Sequence, residues 1–261
     1  MNLGIDNKKA LVIGASRGLG KAIAIALAEE GCSVIAAARS VDKIEEWTRS
    51  LPAGPASKIS PAKLDLSDRQ SVDLLVDNLI ANGGVDILIN NCGGPAPETA
   101  LNAGSEAWAQ SFDSMAISIF HLSARVAQSM MARSFGRIIT IGSSGIEQPI
   151  SGLAISNGVR GAVAGWSKTL AAELAPHGIT VNLVIPGRID TERVQSLDAS
   201  RADREARSID DVRKSSAIEI PARRYGRPEE FAAVTVFLAS ERASYVTGSM
   251  VRVDGGLVRS I

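Results

Sequence analysis

The chain of 261 residues has few of the side chains that carry acid–base, thiol or metal chemistry. Aromatic residues make up 4% of it, and it contains two tyrosines, two histidines and two cysteines. Cys32 and Cys92 lie far apart and lack the spacing of a zinc-binding or redox pair. We therefore predict neither a disulfide framework nor a metal site.

An excess charge of one sign and a long apolar run are also lacking. Twenty-eight Lys and Arg residues balance 28 Asp and Glu residues, so there is no electrostatic reason to expect a nucleic acid or an anionic membrane as a partner. No apolar run approaches the ~18 residues of a membrane-spanning helix, and no signal peptide is apparent. We expect a cytoplasmic protein that acts on a small molecule and binds neither nucleic acid nor membrane.

Short apolar runs alternate with segments of helical periodicity along the chain, which is typical of a parallel α/β sheet. The pattern predicts strands at residues 9–14, 33–37, 58–64, 85–90, 137–141, 179–185 and 250–253, and helices at 19–30, 41–50, 68–81, 105–134, 153–174 and 228–240. The expected fold is a Rossmann-type, doubly wound α/β sheet of about seven parallel strands with helices on both faces.

No linker or repeat interrupts this alternation, so we predict a single dinucleotide-binding domain over residues 1–261. One segment differs. Between residues 198 and 214 five acidic and five basic residues balance, with few apolar ones. We expect a mobile excursion around residues 190–216 that carries a polar helix, either as a solvated insertion or as a lid over the ligand.

A glycine-rich turn lies between the first strand and the first helix. Gly14, Gly18 and Gly20 follow the spacing G-x-x-x-G-x-G, which lets the backbone turn tightly and approach a pyrophosphate. A plain strand-to-helix turn is the alternative. Other strand ends carry further ligand candidates, because ligands of open α/β sheets bind at the carboxyl ends of strands; these are Asp65 and Leu66, then Asn91, Cys92 and Gly93, then Pro186, Gly187 and Ile189.

With these motifs, the segments at 171–182 and 246–256 resemble the short-chain dehydrogenase/reductase family, and the resemblance covers essentially the whole chain. It implies a Rossmann-type domain, a nicotinamide dinucleotide cofactor and, commonly, a homotetramer. The cofactor-binding residues that we predict with its help are Gly14, Ser16, Arg17, Gly18, Leu19, Gly20, Arg39, Asp65, Leu66, Asn91, Cys92, Gly93, Arg160, Pro186, Gly187 and Ile189.

The end of the second strand favours NADP over NAD, with NAD as the alternative. NAD enzymes tend to place a carboxylate there for the ribose 2′-hydroxyl, whereas this chain has Ala38 followed by Arg39. A guanidinium suits a 2′-phosphate. Arg17 in the glycine turn supplies a second positive charge.

The resemblance also assigns catalytic positions, and most of them carry unexpected residues. The family uses an Asn, a Ser and a Tyr-x-x-x-Lys pair; these positions fall on Met115, Ser143, Ser156 and Arg160. Only the Ser is retained. A phenol of pKa ~10 is replaced by an alcohol whose pKa is nearer that of water at ~15.7, a gap of roughly 8 kcal/mol.

We therefore predict an NADP-dependent oxidoreductase that reduces a carbonyl or oxidises a secondary alcohol with non-standard residues. Ser143 would bind the substrate oxygen, Arg160 the ribose or the developing oxyanion, and Ser156 or a water would complete proton transfer. The alternative is a catalytically silent NADP(H)-binding protein or an inactive subunit beside an active homologue. A non-redox elimination like that of the halohydrin dehalogenases is less favoured, since those relatives keep the Tyr and lose the cofactor glycines.

Overall fold

The computed structural model describes residues 1–260, in which seven strands form one parallel sheet. The predicted domain ends at residue 261, which lies outside the described residues. The strand order is β3-β2-β1-β4-β5-β6-β7, and every neighbouring pair is parallel, which confirms the expected Rossmann-type α/β fold. The strands are β1 (Lys9–Ile13), β2 (Ser33–Ala38), β3 (Ile59–Lys63), β4 (Ile87–Asn90), β5 (Gly136–Ile141), β6 (Ile179–Pro186) and β7 (Met250–Val253).

Helices cover both faces of the sheet because each turns an apolar stripe toward it. Ile23 and Leu27, four residues apart on the first helix, are fully buried on one face. Val72 and Val76 of the fourth helix do the same on the other face. The helices are α1 (Gly18–Glu29), α2 (Val41–Arg49), α3 (Ala53–Ala56), α4 (Arg69–Ala81), α5 (Ser105–Phe112), α6 (Ser118–Arg133), α7 (Ala154–Leu174), α8 (Glu192–Glu205), α9 (Ile209–Glu219) and α10 (Pro228–Ala239).

The direction of chain progression through the sheet reverses between β1 and β4. From β1 the chain proceeds outward to β2 and β3, then returns to add β4 on the other side of β1. In doubly wound sheets the crevice outside the carboxyl ends of such a strand pair is where ligands bind. The ends of β1 and β4 therefore mark the expected site.

The prediction of a single α-helix over residues 105–134 is wrong in one respect. A π turn at Asp113–Ile117 separates α5 from α6. Within the turn, the Ser114 hydroxyl donates to the carbonyl of Gln110 in α5 at 2.9 Å. Met115 is buried within the same turn. Apolar periodicity does not register the one extra residue that a π turn contains.

The polar excursion also differs from the prediction, since it holds two helices, α8 and α9, rather than one. Ala206 takes a left-handed conformation that ends α8, and Ser208 caps α9 by accepting the Asp211 N–H. Asp198, one of the acidic residues that suggested a solvated segment, is completely buried. No helix within residues 1–260 is both long and apolar enough to cross a membrane.

Candidate active site

The glycine turn after β1 is packed against the end of β4. The Asn91 side chain donates to the Gly14 carbonyl at 3.1 Å. A Cβ on Gly14 would lie 2.5 Å from the Asn91 carbonyl oxygen, and one on Gly20 would lie 2.3 Å from the Gly14 carbonyl oxygen. Gly14 also has a positive φ of 67°. Side chains are thus excluded at both glycines for steric reasons, independent of any ligand.

The amino terminus of α1 is left open toward this turn. Arg17 occupies the N-cap position but makes no side-chain capping hydrogen bond, and the first turn contains no acidic residue. The first N–H groups of a helix have no intrahelical partner and attract anions. A Cβ on Gly93, at the end of β4, would meet no atom within 4 Å. The open space and the free N–H groups fit the pyrophosphate of a dinucleotide.

Arg39 and Asp65 follow the neighbouring strands β2 and β3. Arg39 is exposed at the end of β2. The Asp65 carboxylate accepts hydrogen bonds from the hydroxyl and N–H of Ser67 at 2.7 and 3.0 Å. These bonds, with the nearby Arg39 charge, lower the Asp65 pKa. The pair is placed where the adenosine end of a dinucleotide would extend from the glycine turn.

Arg17, which we predicted to bind the cofactor, forms an ion pair with Glu192 of α8. Its guanidinium donates to the Glu192 carboxylate at 2.9 Å, and both side chains are 58% exposed. Exposed pairs of this kind contribute ~0–1 kcal/mol, so a phosphate could replace Glu192 as the partner of Arg17.

The loop after β6 brings α8 over the glycine turn. Gly187 lies so close to Asp254 that a Cβ would be 2.6 Å from its Cα atom, and Ile189 is buried. Thr191 caps α8 and lies 3.6 Å from the position of a Cβ on Gly18. Pro186, Gly187 and Ile189 therefore fix the path of this loop.

Two of the predicted catalytic residues, Ser143 and Arg160, lie at the carboxyl ends of β4 and β5. Arg160 on α7 donates to the Ile141 carbonyl at 2.8 Å and to the Cys92 carbonyl at 3.3 Å. Ser143, two residues after β5, accepts the Gly145 N–H at 3.1 Å. Ser156 is nearly buried one helical turn before Arg160. The structure thus places Arg160 where it touches two strand ends at once.

Arg193 is a site residue that the sequence reasoning missed. It lies in the first turn of α8, where it donates to the Pro95 carbonyl at 2.9 Å. A Cβ on Gly94 would be 3.4 Å from the Arg193 Nη2 atom and 4.0 Å from the Ser156 Oγ atom. Desolvation, followed by the charges of Arg160 and Arg17, lowers the Arg193 pKa. Its position two residues after Thr191, in a strand-end segment already singled out, was the available signal.

Comparison with known proteins decides the family. A family model described as Enoyl-(Acyl carrier protein) reductase matches residues 14–258. The 3-oxoacyl-(acyl-carrier-protein) reductase FabG of Salmonella typhimurium is 36% identical over 256 residues, which cover 98% of this chain and 99% of that protein. The NADPH-dependent reductase BacG of Bacillus subtilis is 33% identical over 259 residues, 98% of this chain and 100% of BacG.

A solved structure agrees with these relatives. L-sorbose reductase of Gluconobacter frateurii, complexed with NADPH and L-sorbose, superposes with a TM-score of 0.93 at 34% identity, and the match covers 100% of both chains. The chain belongs to the short-chain dehydrogenase/reductase family. The family resemblance predicted from the sequence is thereby confirmed.

Two positions assigned from the short-chain family pattern lie in apolar surroundings. Met115, in the π turn, packs in a buried cluster with Ile155 and Val159, and Cys92 lies against it. Trp108 of α5 packs on α7, since a Cβ on Gly158 would be 2.8 Å from the Trp108 ring. Met115, the residue assigned to the family's Asn position, therefore lies in an apolar cluster.

Neither tyrosine of this short-chain reductase relative takes part in the site. Tyr225 donates to the Asp198 carboxylate at 2.9 Å, and burial raises the Tyr225 pKa. Tyr245 is fully exposed. Within residues 1–260 no group of three His, Cys, Asp or Glu residues could hold a metal ion.

Proposed function

We propose that the protein is an NADP(H)-dependent oxidoreductase that reduces a carbonyl or oxidises a secondary alcohol. The observation that supports this best is the double contact of Arg160 with the ends of β4 and β5. It holds a guanidinium against the backbone two residues before Ser143 and next to Asn91, whose side chain bonds to the glycine turn. That turn and the free helix terminus behind it fit a dinucleotide. Ser143, Ser156 and Arg160 are the residues proposed to act in the reaction.

The preference for NADP(H) is supported by Arg39 at the end of β2, where an acidic residue would favour NAD. BacG is named as NADPH-dependent, and the L-sorbose reductase was solved with NADPH. The bound nicotinamide supplies or accepts the hydride. All other steps fall to this chain's own residues.

Ser143 is proposed to hold the substrate oxygen. Its Oγ atom accepts the Gly145 N–H, which leaves the hydroxyl hydrogen to donate to a carbonyl oxygen. Arg160 uses part of its N–H groups on two carbonyls and directs its charge at the ribose hydroxyls or at the oxygen on which negative charge develops.

Ser156 is proposed to complete proton transfer through a water rather than as a strong acid. An alcohol is a weaker acid than a phenol by roughly 8 kcal/mol in deprotonation free energy. The positive charge of Arg160 nearby stabilises an oxyanion and reduces the demand for an acid. Substrates whose oxygen needs little acid assistance are therefore favoured.

Hydride transfer from NADPH to a panel of ketones, aldehydes and imines tests this function. We expect turnover of at least one class, and a fall in kcat of about tenfold or more for Ser143→Ala with unchanged NADPH affinity. Tight NADPH binding without turnover of any class, unaffected by Ser143→Ala, would instead favour the silent NADP(H)-binding protein or inactive subunit.

Assembly into a homotetramer is part of the same proposal. Strand β7 forms one edge of the sheet, and its Met250 side chain is 46% exposed. An unpaired edge strand with an exposed apolar side chain is a favourable surface for self-association. Light scattering coupled to size-exclusion chromatography should give four times the chain mass, and a monomer mass would contradict it.

A further inference from the structure

We propose that the substrate of this site carries an oxyanion, a carboxylate or a phosphate, which Arg193 binds beside Ser156. This inference rests on the proposed function and adds the substrate class. Arg193 acts here as a specificity-determining residue, distinct from the groups proposed to hold the reacting oxygen.

The Arg193 guanidinium and the Ser156 hydroxyl border the same glycine. A Cβ on Gly94 would lie 3.4 Å from the Arg193 Nη2 atom and 4.0 Å from the Ser156 Oγ atom, so both side chains line the space beside Gly94. Arg193 is held there by its bond to the Pro95 carbonyl and by its place in the first turn of α8. A charged guanidinium held in place at the edge of this space is suited to bind a compact oxyanion.

The site holds positive charge without a matching carboxylate. Arg17 is paired with Glu192, and the other α8 and α9 arginines with salt bridges have partners among Asp190, Asp198 and Glu205. Among the ion pairs formed within residues 1–260, none includes Arg160 or Arg193. Two guanidinium groups near the proposed reaction centre are therefore available to an external anion.

The electrostatics favour an anion in the space beside Gly94. Partial desolvation and repulsion from Arg160 and Arg17 both disfavour the charged form of Arg193 and lower its pKa. A negative group bound beside Arg193 would offset both effects at once, since hydrogen bonds to charged groups are the stronger kind. Neutral substrates leave the repulsion in place.

The proposal assigns the cofactor phosphates to other residues. The pyrophosphate fits the free amino terminus of α1, and the 2′-phosphate fits Arg39 at the end of β2. Arg193 instead bonds to the Pro95 carbonyl and borders Gly94 together with Ser156 of α7. The proposal therefore assigns Arg193 to the substrate.

Two matched pairs of probes test the inference. The carboxylate pair is 2-oxobutanoate and its methyl ester, and the phosphate pair is dihydroxyacetone phosphate and dihydroxyacetone. The enzyme, Arg193→Gln, Arg193→Lys and the control Arg204→Gln are compared. Arg204 is exposed on the same helix and belongs to none of the salt bridges within residues 1–260.

Two readouts are used: kcat/KM for NADPH oxidation, and calorimetric binding of each probe to the complex with NADP⁺. We expect the wild type to bind at least one anion more tightly than its neutral counterpart. Arg193→Gln should weaken that binding about 10- to 100-fold, mainly through KM, with the neutral probe unchanged. Arg193→Lys should rescue part of the loss, and Arg204→Gln should behave as wild type.

Three results would overturn the inference. These are equal effects of Arg193→Gln on an anion and its neutral counterpart, no binding of either anion to the wild-type NADP⁺ complex, and a loss of NADPH affinity in Arg193→Gln, which would place a cofactor phosphate at this residue. Failure of the proposed function looks different. Anion binding that depends on Arg193, without NADPH oxidation in the presence of any probe, would support the anion site and contradict the proposed reductase activity.

Discussion

Tyr225 donates its phenol hydrogen to the Asp198 carboxylate across 2.9 Å, and the Arg188 guanidinium binds the other oxygen of the same carboxylate. Asp198 is completely buried in α8. The three residues come from α8, from the loop after β6 and from the segment before α10. These contacts therefore hold α8 against the segments that follow β6 and precede α10.

Asp198→Asn should destabilise the protein by about 3–5 kcal/mol, because it removes the negative partner of the partly buried Arg188 charge. Thermal and urea unfolding measure the loss. The matched control is Asp203→Asn on the exposed side of the same helix, which should stay within about 0.5 kcal/mol of wild type. Equal losses for the two variants would show that the buried pair is unimportant.

Gly20→Ala should destabilise the protein by about 2 kcal/mol or more and abolish NADPH binding. A Cβ there would overlap the Gly14 carbonyl oxygen at 2.3 Å, so the turn must move. Gly54→Ala is the control, since nothing lies within 4 Å of a Cβ at Gly54. Fluorescence titration measures the affinity for NADPH and a melting curve measures stability, so loss of the cofactor site can be distinguished from loss of the fold.

The pH dependence of kcat should lack the step that a catalytic phenol would cause. The Ser143 and Ser156 hydroxyls do not titrate between about pH 6 and pH 9.5, and Tyr225 is engaged with Asp198. We expect kcat to stay flat in this range in both the wild type and Ser156→Ala. A single ionisation near pH 7–9 in the wild type that disappears in Ser156→Ala would contradict the water-mediated role.

Arg39→Ala should weaken NADPH binding about tenfold or more and leave NADH binding nearly unchanged. The reason is that a guanidinium at the end of β2 interacts with the 2′-phosphate, which NADH lacks. Paired titrations at a fixed salt concentration measure the ratio of affinities. A parallel loss for both cofactors would mean that Arg39 positions the strand end and does not select the phosphate.

Most of the sheet follows from local patterns. The apolar runs ending at Gly14 and at Asn90 predict β1 and β4 because a buried parallel strand needs apolar residues on both faces. Site residues on these strand ends are predictable for the same reason. Arg193 is different: its position depends on how α8 docks over the glycine turn, and this docking is set by the buried Asp198, which in the sequence resembles any other surface acid.

The π turn at Asp113–Ile117 changes the rotational phase within the continuous helical segment formed by α5 and α6. One residue advances an α-helix by about 100°, so the extra residue rotates α5 relative to α6. That rotation lets Trp108 rest on Gly158 while Met115 stays inside the apolar cluster. Insertions or deletions of one residue between positions 105 and 133 would therefore turn the Trp108 ring off α7, and would uncover the helix that carries Ser156 and Arg160.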